Sequence, residues 1–91
     1  MAYTLRYSKR FAKAFKAISA ADRKRIAKAM GKLATDPFPE GKSVKRLQGP
    51  KDEFFRLRVG DYRILYDVSG GNLDILDLVP RGELEKAVKR L

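Results

Sequence analysis

Three arginines, Arg56, Arg58 and Arg63, lie in the stretch Phe54 to Val68, where strand-forming residues flank the pair Gly60-Asp61. That pattern predicts a β-hairpin with a two-residue turn. With Gly60 and Asp61 as the turn, Val59 faces Tyr62, Arg58 faces Arg63, Leu57 faces Ile64 and Arg56 faces Leu65. Strand alternation then places Phe55, Leu57, Val59, Tyr62, Ile64 and Tyr66 on one face and the three arginines on the other. Like charges set opposite each other in a sheet repel. Such a face needs a carboxylate to offset it or an anion to fill it.

The whole chain points towards the anion. Its 91 residues carry 21 Lys and Arg against 11 Asp and Glu, a net charge of +10. So large an excess on so small a chain favours a polyanionic partner, either nucleic acid or an acidic protein. There is no cysteine, hence no disulfide framework or thiolate metal site, and no histidine. Without histidine the usual proton shuttle near neutral pH and the commonest metal ligand are both missing, so a zinc site is excluded and proton transfer falls to Lys, Arg, Tyr, Asp or Glu. No apolar run approaches the length of a membrane span and the N-terminus lacks a signal-peptide core, so the expectation is a cytoplasmic protein.

The elements that must position the arginines can be read in order. Ala2 to Tyr7 alternates as a short strand, and Ser8 is placed to cap a helix bearing Phe11, Phe15 and Ile18 on one side. Ser19 is placed to cap a second helix, with Ile26, Met30 and Leu33 as its apolar stripe, ending before Asp36-Pro37. Ten basic residues precede Pro37 against only Asp22 and Asp36, which reads equally as a nucleic-acid track or a solvated helical face. Pro39, Gly41, Gly49 and Pro50 mark 38–50 as a loop, in which Val44 or Leu47 could anchor while Lys45 and Arg46 face solvent. After the hairpin, Ser69 to Asn72 is a turn and Leu73 to Val79 a strand whose register is obscured by the adjacent Ile75 and Leu76 and by Asp77. Leu84, Ala87, Val88 and Leu91 form the stripe of a closing helix, too short to stand alone. The order β-α-α-β-β-β-α over a single domain, 1–91, predicts an α+β fold, a small antiparallel sheet with a helical hairpin packed on one face.

This order, with three blocks of residues, resembles the RelE/ParE toxin superfamily of toxin–antitoxin systems. The blocks are Lys45-Arg46-Leu47-Gln48-Gly49, then Phe55 through Tyr66 with its Arg-x-Gly-Asp-Tyr-Arg centre, and Val79-Pro80-Arg81-Gly82. The resemblance implies a RelE-like toxin that cuts mRNA on the ribosome by attack of a 2′-hydroxyl on the adjacent phosphate, needing no cofactor or metal. It implies Arg56, Arg63 and Arg81 as catalytic residues gripping that phosphate, with Arg58, Lys45, Arg46 and Lys51 binding RNA. Guanidiniums suit the role, because they hold phosphate oxygens in pairs and stay charged. It also implies an acidic RelB-like antitoxin as partner, covering or displacing the last helix. The chain departs from the family pattern in two places. Phe54 stands where some members carry a basic residue, and no tyrosine follows Tyr66. Tyr7, Tyr62, Lys51 and Glu85 therefore share the candidacy for general acid or base. The same departures keep open a ParE-like toxin that binds DNA gyrase without catalysis, or a plain nucleic-acid-binding module.

Overall fold

A computed structural model describes residues 2–38, 41, 43–49 and 53–91. The elements are β1 (Thr4–Tyr7), α1 (Lys9–Ala17), α2 (Ala20–Thr35), β2 (Val44–Gln48), β3 (Glu53–Val59), β4 (Tyr62–Ser69), β5 (Asn72–Pro80), a single 3-10 turn (Arg81–Glu83) and α3 (Leu84–Arg90). Both predicted caps are made: the Ser8 hydroxyl accepts from Phe11 N–H at 3.0 Å and that of Ser19 from Asp22 N–H at 3.2 Å. The strands form one sheet in the order β1-β5-β4-β3-β2.

The α+β class and the helical hairpin on one face hold, with three additions. The segment expected to be a loop contains β2, paired antiparallel with β3. Its pattern hides it, because Val44 and Leu47 lie three residues apart and so point to opposite faces. That spacing makes sense only in a sheet covered on both sides. Val44 packs into the core beneath α1 and α2, and Leu47 into a second core under α3. The sheet is also mixed, for β1 joins β5 in parallel. The two helices return the chain so that β2 runs against β1, and three further reversals leave β5 running with β1. Finally, α3 does not share the face of the other helices. It docks on the arginine side, where Phe54, Leu65, Val79 and Ala87 are buried together.

The larger core unites Phe11 of α1 and Ile26, Met30 and Leu33 of α2 with Leu57, Ile64, Tyr66, Leu73, Ile75 and Leu78 of the sheet. Tyr66, fully buried, donates its hydroxyl to Pro37 O at 2.7 Å, and its burial pushes the phenol well above its usual pKa. The irregular alternation of β5 is a bulge: Leu65 pairs with Asp77 but Tyr66 with Ile75, leaving Leu76 as the extra residue. Ser8 ties it down, its N–H donating to Ile75 O at 3.0 Å and its hydroxyl to Leu76 O at 2.6 Å. Asp77, 2% exposed, accepts from Leu78 N–H and from Arg90 Nη2 of α3, the latter at 3.2 Å.

On β1, Arg6 grips Asp74 of β5 through two hydrogen bonds. That bond, with the attraction of the two charges, holds the Asp74 carboxyl below its usual pKa despite some desolvation. A depressed folded-state pKa gives stability that is present above the unfolded pKa and disappears as pH falls through the folded one. Asp74→Asn is therefore expected to melt below the wild type at neutral pH, with the gap closing below about pH 4, as a pair of melting curves at each pH will show.

Candidate active site

The arginine face is assembled by register. Within the β3–β4 hairpin Arg58 pairs with Arg63 and Arg56 with Leu65, as the alternation predicts. Beyond the bulge, β5 continues with Val79 opposite Arg63 and Pro80 opposite Tyr62. This brings Arg81 to the hairpin turn, where its backbone N–H donates to Asp61 O at 2.9 Å. Arg63 sits at the centre of the group. Its partial desolvation, and then the positive charges of Arg56, Arg58 and Arg81, push its guanidinium below its usual pKa, with Asp61 partly offsetting them. Its Nη1 donates to Gly60 O at 3.0 Å and Tyr62 O at 2.9 Å. The side chain is thus fixed from one nitrogen, and three of its five N–H groups remain to point at a ligand. Among the described residues, none of Arg56, Arg58, Arg63 and Arg81 forms an ion pair with a carboxylate. Guanidiniums gathered without counter-charge repel one another, and an anion such as a phosphate offsets that repulsion.

The other sequence candidates separate. Lys45 pairs with Arg56 and shares its face. Arg46, one residue on, points to the opposite side, its guanidinium 5.6 Å from the Phe55 ring centroid and 3.6 Å from Glu53. Strand alternation alone removes it from the cluster. Lys51 lies outside the described residues. Among the acid–base candidates, Tyr62 faces the helices. Its hydroxyl donates to Asp22 Oδ2 at 3.2 Å, and burial followed by this bond raises its pKa. Tyr7 is half exposed and stacks on Phe11 beside α1. Glu85 is exposed on the first turn of α3. The carboxylate of Asp77 is taken by Arg90 and none of the cluster arginines. The face therefore offers cations to bind and stabilise charge, and none of the four tyrosines.

The turn is clamped from behind in a way that no short-range signal reveals. Arg25 of α2 reaches the turn glycine: a Cβ added to Gly60 would collide with the end of the Arg25 guanidinium. Gly60 also has φ +57°, in the left-handed region where a side chain is strained. Gly60→Ala is expected to lower stability by about 1–2 kcal/mol from the backbone, the exposed end of Arg25 swinging aside at little cost. Urea denaturation measures the loss.

A family model described as the ParE toxin of the type II toxin–antitoxin system parDE matches residues 4–85. The chain belongs to this toxin family. Among its relatives, a protein named toxin RelE1 from Methanocaldococcus jannaschii is 33% identical over 69 residues, 75% of this chain and 76% of that one. The solved RelE–RelB complex of Pyrococcus horikoshii OT3 contains a chain 34% identical to this one, with a TM-score of 0.78 over 90% of this chain and 98% of that chain. A RelB–RelE antitoxin–toxin complex from Methanococcus jannaschii matches at 25% identity and a TM-score of 0.69, over 88% and 94%. The protein is thus a RelE-like toxin of a type II toxin–antitoxin system.

Proposed function

We propose that this toxin is a ribosome-dependent mRNA endoribonuclease that inhibits translation in the cytoplasm. The carrying observation is the set Arg56, Arg58, Arg63 and Arg81, gathered on one face without a carboxylate partner among the described residues. In this reading Arg56, Arg63 and Arg81 hold the scissile phosphate, while Arg58 and Lys45 hold the strand beside it. The 2′-hydroxyl gives up its proton to water as its oxygen bonds to phosphorus, the P–O5′ bond breaks, the departing 5′-oxygen takes a proton from water, and a 2′,3′-cyclic phosphate and a 5′-hydroxyl result. The extra negative charge of the pentavalent transition state meets fixed guanidiniums, which is the kind of electrostatic preorganisation that accelerates phosphoryl chemistry. No metal is needed to supply positive charge where four arginines do so. The ribosome orients the mRNA for in-line attack, a contribution of positioning rather than of chemistry.

The partner is a RelB-like antitoxin, supported by the RelE–RelB assemblies in which the archaeal relatives were solved. The net charge of +10 suits an acidic wrapping segment. A second reading, inhibition of DNA gyrase, draws on the ParE description of the matching family model and on the absence of a tyrosine from the arginine face. One pair of assays separates the two. Added to a translation reaction of purified components, the toxin is expected to shorten mRNA and stop synthesis while gyrase supercoiling continues. Intact mRNA with blocked supercoiling would reverse the assignment.

A further inference from the structure

The arginine face does not end at the hairpin turn. On the other side of Gly60 a groove of about 510 Å³ opens between α2 and the exposed end of β3. Arg25, Lys28 and Lys32 line it from α2, at spacings of three and four residues that place them on one helical face. Arg58 lines it from the sheet, because β2 ends at the pair Val44–Leu57 and leaves that end of β3 uncovered except for the Arg58 N–H bond to Ser43 O at 2.8 Å. Leu33 and Val59 contribute an apolar floor, and the one acid in the lining is Asp36, which caps the C-terminus of α2.

Two contacts make groove and arginine face continuous. Arg58 lies at their shared edge: its position on β3 borders the groove, while alternation sets its side chain with that of Arg63 on the arginine face. Arg25 lies against Gly60, whose carbonyl anchors Arg63. Asp61 at the turn softens the potential there without an ion pair to any of these arginines. We infer that the α2–β3 groove is a second nucleic-acid site, which holds the single-stranded RNA backbone flanking the phosphate in the arginine cradle. Phosphates lie along the Arg25–Lys28–Lys32 rim, and a base rests on the apolar floor. From Arg25 to Lys32 the helix rises about 10 Å, enough for the strand to run past the cradle. An acidic peptide would also meet the rim, but the rim runs into the cradle through Arg25, Gly60 and Arg63, which favours a polyanion already held there.

The inference rests on the cradle holding RNA, and the experiment separates the two claims. Binding of uncleavable 2′-O-methyl oligoribonucleotides, a tetramer and a dodecamer, is measured for the wild type, Lys28→Gln/Lys32→Gln and Arg63→Ala/Arg81→Ala. The lysine positions are exposed and glutamine keeps the helix, so the groove variant is expected to fold normally. It should bind the dodecamer about tenfold more weakly at low salt, with the log–log salt slope reduced by about 1.4, and bind the tetramer as the wild type does. Equal losses on both lengths, or no loss on either, would overturn the groove. So would unchanged RNA binding with weakened antitoxin binding, which would assign the groove to an acidic peptide. Tetramer binding that survives Arg63→Ala/Arg81→Ala would overturn the cradle itself, whatever the groove does.

Discussion

Arg63→Ala/Arg81→Ala is expected to reduce mRNA cleavage by about a thousandfold or more while leaving the fold at least as stable as the wild type. The activity loss follows from the position of these groups. Removing a single preorganised donor aimed at developing charge costs about 10²–10³ in rate, and in the proposed site the double change removes two. The stability expectation runs the other way. Arg63 is partly desolvated and has Arg56, Arg58 and Arg81 as neighbours, all of which disfavour its charge. Alanine relieves that repulsion and also gives up two hydrogen bonds to Gly60 O and Tyr62 O. Retained or raised melting temperature with lost cleavage is the signature of a site held under electrostatic strain for function. Quantitative primer extension on ribosome-bound message and a thermal melt of the same preparations give both halves of the comparison.

The second large effect is structural. Leu65 and Ile64 are adjacent and both fully buried, but they enter different cores. Leu65→Ala is expected to cost about 2–5 kcal/mol, through lost burial and the cavity left behind. That is a large share of the roughly 5–14 kcal/mol available to a chain of this size. Ile64→Ala should cost a similar amount, so urea denaturation will not distinguish them. Native-state hydrogen exchange will. Leu65 lies beneath Ala87 and the α3 stripe, so its loss should speed exchange of the α3 amides out of proportion to the rest. After Ile64→Ala, α3 should keep its relative protection. Equal exchange profiles for the two variants would mean that the sheet's two faces open as one unit.

The hairpin was legible because its information is local: alternation on both sides of Gly60-Asp61 sets every pair from Phe55–Tyr66 to Val59–Tyr62. The caps at Ser8 and Ser19 are local in the same sense. What could not be read depends on the far side of the sheet. Strand β2 has no single apolar face, so its five residues look like a loop until both cores exist to receive Val44 and Leu47. The same alternation that shows Lys45 beside Arg56 sends Arg46 to Phe55 and Glu53. Arg81 was named by family resemblance rather than by spacing, for its place follows from the extra residue Leu76, and a register shifted by one would turn the end of β5 over. The clamp of Tyr62 on Asp22 and Arg25 on Gly60 joins residues more than thirty positions apart and leaves no sequence signal.

If the arginine face performs phosphoryl transfer on mRNA, the chemistry of the cut end shows it most directly. Fragments recovered from stalled ribosomes after toxin treatment should terminate in a 2′,3′-cyclic phosphate at positions fixed relative to the codon being read. The same reaction with Arg63→Ala/Arg81→Ala should return full-length message. Wild-type toxin that halts growth while ribosome-bound mRNA stays whole would contradict the account.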